Sequence, residues 1–194
     1  MNRVVVTGMG AVTPVGNSVP EMWQALRTGT SGVGPILSFD ASAFDTRIAA
    51  EVKGFELTEV DRKSARRMDR FVQFAVKAAA EAVRSSGLAL ENEDRDRIGC
   101  IIGSGIGGLR VIEEQHAILL KNGPSRVSPF LIPMLISDMA AGQVAILYGA
   151  RGANFSTVSA GASGAHALAV SLQMLRSGVC DIMSAGGTEA SITP

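Results

Sequence analysis

Apolar side chains recur at three- and four-residue steps across DRFVQFAVKAAAEAVRSSG, residues 69–87. Lys77, Glu81 and Arg84 fall on the opposite side of the same helical projection. This spacing predicts an amphipathic helix that packs against a core and ends at Gly87. The apolar positions are Met68, Phe71, Val72, Ala75, Ala79, Ala82 and Val83.

Two β-branched runs closed by glycine, RVVVTG at 3–8 and RIGCIIGSG at 97–105, predict buried strands. VPEMWQALRTG predicts a short helix that stops at Gly29, and a second helical stretch follows at 109–120. Turn residues before residues 48–52 leave a possible strand there. These elements begin an alternation of strands and helices.

Residues 121–153 interrupt that alternation with three prolines and an apolar face. We interpret 109–153 as a helical and loop insertion, with a helix at about 134–147. FSTVSA, SGAHALAVSLQMLRSG and VCDIMSAGG then predict strand, helix and strand. The order β–α–β–α–β favours a mostly parallel sheet with helices on both faces.

Charge limits the possible partners. Lys plus Arg and Asp plus Glu are 18 each, so the net charge is zero. No basic stripe indicates nucleic acid binding, and no acidic tail is present. With 46% hydrophobic residues and a mean hydropathy of +0.25, the chain is apolar for its size. Either much of the surface is buried against a partner or a second half, or the α/β core is well filled.

The sequence predicts a cytoplasmic protein without membrane contact, metal or cofactor. MNRVVVTGMG has no signal or transit character, and apolar runs such as FLIPMLI are too short to span a bilayer. Cys100 and Cys180 lie in apolar strand-like runs, where an intracellular disulfide is not expected. His116 and His166 have no carboxylate or thiol at ligand spacing.

The segment GSGIGGL follows a predicted strand, and Gly103, Gly105 and Gly108 match the G-x-G-x-x-G spacing of dinucleotide-binding loops. The strand lies deep in the chain, however, and the Gly-Lys-Ser/Thr ending of a phosphate loop is missing. The other interpretation is a glycine-lined wall against which backbone or a ligand chain packs closely.

A tight turn, SAGAS at 159–163, precedes the last predicted helix and has Gly161 at its apex. It is not a serine hydrolase elbow, because G-x-S-x-G fails at Ala165 and no histidine follows His166. We therefore expect Ser163 to be a helix N-cap and His166 to be structural.

A thiol at the apex would have a lowered pKa, and the apex N–H would stabilise an oxyanion. Alternatively, Gly161 supplies a left-handed turn.

Several long motifs, in order, resemble the N-terminal half of the β-ketoacyl-acyl carrier protein synthases, most closely the type II elongating enzymes of bacterial fatty acid synthesis. The motifs are RVVVTGMGAVTPVG, DRFVQFAVKAAAEA, GSGIGG, GPSRVSPFLIPMLISDMAAGQVAILYGARG, STVSAGASGAHALA and DIMSAGGTEASITP. The resemblance runs the whole length of the chain.

This resemblance implies a thiolase-like fold with layers of helix and mixed sheet, of which 1–194 are the N-terminal half and the C-terminal half is absent. It implies a homodimer that takes an acyl chain from acyl carrier protein onto a cysteine and extends it with malonyl-acyl carrier protein. The alternatives are a non-catalytic partner subunit of the chain-length-factor type and a ketosynthase of a polyketide pathway.

Carried onto this sequence, the catalytic cysteine falls on Gly161, whose N–H remains as an oxyanion donor. Without a thiol the chain is expected to be inactive in condensation. Either a designed substitution or a natural non-condensing paralogue would account for the glycine. The resemblance places the acyl pocket, including segments that reach the neighbouring subunit, at Gly105, Ile106, Ala160, Leu131, Ile132 and Leu135.

Overall fold

The computed structural model describes residues 2–194. Three short 3-10 turns, Leu90–Asn92, Arg95–Arg97 and Pro124–Arg126, join longer elements. The helices and strands are, in chain order, α1 Val19–Arg27, β1 Gly34–Pro35, β2 Ile48–Ala49, α2 Arg62–Ala65, α3 Arg70–Ser86, β3 Ile98–Gly103, α4 Leu109–Asn122, α5 Leu131–Leu135, α6 Met139–Tyr148, β4 Asn154–Phe155, α7 Ser163–Ser177 and β5 Ile182–Gly187.

The main sheet is parallel and has the order β4–β3–β5. The register of β3 and β5 runs from Ile98 opposite Ile182 to Gly103 opposite Gly187. All six residues of β3 are buried, as the apolar run at 97–105 predicts for a central parallel strand. A separate antiparallel pair joins β1 and β2, so the possible strand at 48–52 is reduced to two residues.

Helices cover both faces of this sheet, as predicted. On one face, α3 and α6 pack together over Cys100 and Ile102. On the other face α7 lies across β3 and β5, so closely that a Cβ at Gly103 would overlap the carbonyl group of Ser163. Successive residues of a strand point to opposite faces, which explains why even-numbered β3 residues meet α3 and α6 while Gly103 meets α7. The result is a layered α/β/α arrangement.

The helix predicted at 69–87 is confirmed. Asp69 caps α3 by accepting from the N–H of Phe71, and Gly87 ends the helix with a φ of +67°. Phe71, Val72 and Val76 have no exposed surface. On its polar side, the carboxylate of Glu81 accepts from the N–H groups of Ala11 and Val19, at 2.9 and 2.8 Å. The polar face of α3 therefore binds the segment that precedes α1.

The buried strand predicted at 3–8 is wrong. The segment lies outside the sheet, with Val5 and Val6 59% and 81% exposed. Gly8 and Gly10 bring its backbone directly onto α3, where a Cβ at either position would overlap a helix carbonyl. The next residues continue this contact, since the N–H of Met9 donates to Ser85 Oγ of α3 at 3.1 Å. Packing on a helix thus overrides the β-propensity of the run.

The single helix predicted at 134–147 is divided into α5 and α6. Ile136 is extended, with φ −67° and ψ 136°, and separates the two helices. α6 is part of the core, since Ala140, Ala141 and Val144 are at most 1% exposed. Among residues 2–194, no helix has the length and apolarity needed to cross a bilayer.

Candidate active site

The turn before α7, residues 159–163, is closed by the hydroxyl of Ser163. This Oγ accepts from the N–H of Ser159 at 2.9 Å and donates to the carbonyl of Ala160 at 2.6 Å. Ser163 is 3% exposed and is the first residue of α7, whose N-cap is Ala162. The N-cap prediction for Ser163 is therefore wrong: its hydroxyl fixes the turn rather than the free N–H groups of the helix. The buried hydroxyl donates its proton to a carbonyl oxygen and not to a general base.

Gly161 does not need to be glycine for the turn to form. The left-handed residue is Ala160, with a φ of +50°, whereas Gly161 is outside the positive-φ region. The interpretation of Gly161 as a left-handed turn residue is therefore wrong. A Cβ built on Gly161 meets no atom within 4 Å, and the residue is exposed. A side chain at position 161 would extend into open space at the start of a 15-residue helix.

His166 lies in the first part of α7, and its side chain contacts the segment at 159–163. Its Nδ1 is 2.6 Å from the hydroxyl of Ser159. This contact ties the first turn of α7 to the residue that enters the apex from β4. The structural role of His166 stays a prediction.

The glycine-rich loop at the end of β3, residues 103–108, holds a carboxylate of the chain itself. Glu189 Oε2 accepts from the N–H of Gly105 at 2.7 Å and of Ile106 at 3.2 Å. Ser104 Oγ lies 3.4 Å from the same oxygen and accepts from the N–H of Gly107 at 3.1 Å. The donors that a dinucleotide phosphate would require are thus engaged by Glu189.

Close backbone packing explains the other glycines of this loop. A Cβ at Gly107 would overlap the carbonyl of Leu135, and one at Gly108 would overlap that of Met134. The N–H of Gly108 also donates to Leu135 at 2.8 Å. The structure therefore supports a glycine-lined wall rather than a nucleotide-binding loop.

The structure brings together three of the residues expected to line an acyl pocket. The Cβ position of Gly105 is 3.4 Å from the Cα of Ala160, and Leu135 meets the loop two residues later. Ile106, between these contacts, is 52% exposed.

Leu131 and Ile132 are not joined directly to the turn. They lie on α5 with Leu135, where Leu131 is half-buried and Ile132 is 58% exposed. Among the described residues, no hydrogen bond links either of them to residues 159–163.

Neither native thiol can act at this turn. Cys100 and Cys180 are free and buried, at 1% and 2% exposure. Burial raises the pKa of the Cys100 thiol to about 12, so it stays protonated and unreactive. Residues 2–194 also contain no group of three or more side chains that could hold a metal ion.

The sequence interpretation missed Glu189 and its partner Ser104. A signal was present, because Ser104 follows β3 and Glu189 follows β5, and parallel strands end at the same edge of a sheet. Ligand-contacting residues of open α/β sheets concentrate at that edge. The pairing of β3 with β5, which brings the two residues together, is not visible in the sequence.

Residues 1–194 match the N-terminal domain of the beta-ketoacyl synthases. The chain belongs to the beta-ketoacyl synthase family. It is 50% identical over 193 residues to the 3-oxoacyl-[acyl-carrier-protein] synthase 2 of Synechocystis sp., and 46% identical over 192 residues to that of Staphylococcus aureus strain N315. These alignments cover 99% and 98% of the chain but 46% of each relative, so the chain spans about half of their length.

A solved structure supports the same fold. The ishigamide ketosynthase/chain length factor superposes with a TM-score of 0.86 at 29% identity, over 96% of this chain and 47% of that one. The predicted thiolase-like fold of the ketosynthases is confirmed. In this beta-ketoacyl synthase domain, the turn at 159–163 and the loop at 103–108 lie side by side at one edge of the sheet.

Proposed function

We propose that this chain is the N-terminal half of a 3-oxoacyl-[acyl-carrier-protein] synthase in which Gly161 occupies the position of the acylated cysteine. The observation that carries the proposal is the open, exposed space at Gly161, on a turn whose shape does not require glycine. A cysteine there would project its thiol beside the start of α7. Relatives that are 46% and 50% identical carry the name of this activity.

The proposed reaction explains what is lost. A cysteine thiolate would attack the thioester of acyl-acyl carrier protein, and the carrier thiol would leave. Gly161 has no sulfur to form this bond, although its N–H is still available to a developing oxyanion. Loss of a nucleophile lowers the rate by orders of magnitude, so condensation by this chain is blocked at acylation.

The remaining parts of the proposal concern partners and the pocket. Gly105, Ile106 and Ala160 form the wall beside the thiol position, and the acyl and malonyl forms of acyl carrier protein are the substrates. The exposed apolar side of α5, which includes Ile132, would reach the pocket of a second copy in a homodimer. The domain interpretation is part of this proposal, with catalytic groups supplied by a C-terminal half. The reaction requires no cofactor.

The test is restoration of the thiol. Gly161→Cys in the full-length protein should produce a 3-oxoacyl product two carbons longer from acyl- and malonyl-acyl carrier protein, while the unaltered protein produces none above background. Gly161→Ser is the matched control, because it fills the same space with a poorer nucleophile. A Gly161→Cys protein that is folded but makes no product would contradict the proposal.

The glycine at this turn also favours a second function. A non-catalytic subunit of the chain-length-factor type needs the fold but no nucleophile, and the ishigamide ketosynthase/chain length factor shares this fold. Such a subunit would copurify with an active ketosynthase and change its product length. In that case Gly161→Cys would not be acylated, which separates it from the first function.

A further inference from the structure

One carboxylate holds the loop that faces the turn at 159–163. Glu189 accepts from two consecutive N–H groups, of Gly105 and Ile106, and receives the hydroxyl of Ser104 at 3.4 Å. Consecutive N–H groups that point to one side form a nest for an anion, and here the chain supplies the anion itself. Hydrogen bonds to a charged oxygen are stronger than neutral ones.

The backbone next to Glu189 is held by hydrogen bonds to β3 and α3. The preceding residue, Thr188, donates its N–H to the carbonyl of Gly103 at 2.9 Å and its hydroxyl to the carbonyl of Phe71 at 2.6 Å. Phe71 has no exposed surface and belongs to the main core. The carboxylate is therefore fixed relative to both the end of β3 and α3.

The Cβ side of Gly105 faces both the carboxylate and the turn. The Cβ position of Gly105 lies 3.0 Å from Glu189 Oε2 and 3.4 Å from the Cα of Ala160. Because Gly105 has no side chain, both the carboxylate and the residue before the apex can approach the loop backbone closely. A shift of this loop would change the shape of the space beside position 161.

We propose that Glu189 is a positioning residue that sets the wall of Gly105 and Ile106 beside position 161. The inference rests on the proposed function for its kinetic consequence, since the wall is the one assigned to the acyl chain. Glu189 acts through the loop and does not touch the reacting atoms. An acyl chain needs this wall, whereas a small alkylating reagent does not.

The experiment uses the full-length Gly161→Cys protein as the parent. Glu189→Ala and Glu189→Gln are added to it, and Glu91→Gln, at an exposed carboxylate in the turn Leu90–Asn92, serves as the matched control. Three quantities are measured: the rate of acylation by acyl-acyl carrier protein, the rate of alkylation by iodoacetamide, and hydrogen exchange at the amides of 105–106. Each is repeated with tens of millimolar formate, using chloride as the ionic-strength control.

In Glu189→Ala, we expect acylation to fall about 10- to 100-fold, the effect expected for a displaced positioning group. Alkylation should change by less than about threefold, because a small reagent needs no acyl pocket. Exchange at 105–106 should be faster, and formate, which fills the vacated nest, should reverse both the exchange and the acylation defects. Glu189→Gln keeps a hydrogen-bond acceptor without the charge and should show a smaller loss of acylation. If the Ala variant does not fold, the Gln variant still tests the proposal.

Unchanged acylation in both variants, a parallel loss of alkylation, or no rescue by formate would overturn the proposal. If the Gly161→Cys parent is not acylated, the proposed function fails, and hydrogen exchange then decides the position of Glu189 by itself. Faster exchange that formate reverses would support its hold on the loop, and unchanged exchange would refute it.

Discussion

At the scale of single residues, the turn before α7 separates conformation from chemistry. Ala160 takes the left-handed conformation and Ser163 closes the turn, so the turn does not require a glycine at position 161. The sequence SAGAS predicts a turn, but not which residue has the positive φ, because two small residues compete for that position. The backbone dihedral angles distinguish the two residues and leave the space at Gly161 free for a side chain.

A thiol placed at position 161 should be acidic. The N-terminus of α7 stabilises an anion, so Gly161→Cys should alkylate with a pH midpoint below the ordinary thiol pKa of about 8.5. Ala169→Cys, at an exposed position in the middle of α7, is the matched control and should show an ordinary midpoint. Cys100, whose pKa is raised by burial, should remain unlabelled in both proteins. Equal midpoints for the two introduced thiols would contradict this prediction.

At the scale of elements, the spacing of apolar residues predicts an element well when its caps and its terminal residues agree with that spacing. α3 is predicted almost to the residue, because its apolar spacing, its cap and its terminal glycine agree with one another. The segment at 3–8 is mispredicted because its β-branched residues say nothing about which surface they meet. Loop 103–108 is recognised from its glycines, yet its carboxylate partner is 84 residues away from Gly105 in the chain. Long-range pairing of this kind cannot be obtained from local patterns.

The N-cap of α3 gives a prediction with a definite pH dependence. Burial raises the pKa of Asp69, opposed by the hydrogen bond from the N–H of Phe71. A raised carboxyl pKa makes the folded protein bind the proton more tightly, so Asp69 contributes most to stability below its ordinary pKa. This contribution is lost as the pH rises through the raised value.

Asp69→Asn keeps a cap and removes the charge, so at pH 7 it should be at least as stable as the native protein. Its advantage should shrink as the pH falls through the raised pKa of Asp69 toward the ordinary Asp pKa, because the native carboxyl becomes protonated over that range. Asp69→Ala leaves the Phe71 N–H without its acceptor and should lower the free energy of unfolding by about 1 kcal/mol. Urea unfolding at pH 7 and pH 4 measures both changes. An Asn variant less stable than the Ala variant at pH 7 would refute the account of this cap.

At the scale of the whole molecule, apolar surface is unusually open. Val6, Leu37, Leu120 and Ile146 are each 72–81% exposed. Of the two explanations left by the composition, this surface favours burial against a partner or a second half over a merely well-filled core. The composition indicates an excess of apolar residues, but it does not show which of them lie on the surface.

Residues 1–194 expressed alone should therefore associate. Light scattering at tens of micromolar should detect oligomers or aggregates, because apolar faces and open sheet edges remain uncovered. Coexpression with the remainder of the proposed full-length protein should reduce this association. A monodisperse monomer of 1–194 at these concentrations would contradict the prediction.

The central claim, that position 161 is the site of acylation, is tested most directly by mass spectrometry. Full-length Gly161→Cys is incubated with acyl-acyl carrier protein, and the mass and location of any adduct are compared with those for Ala162→Cys, an exposed thiol one residue away. The account predicts one acyl group on the cysteine at position 161 and none on the protein with native Gly161 or on Ala162→Cys. The absence of an adduct at 161, or equal acylation at 161 and 162, would contradict it.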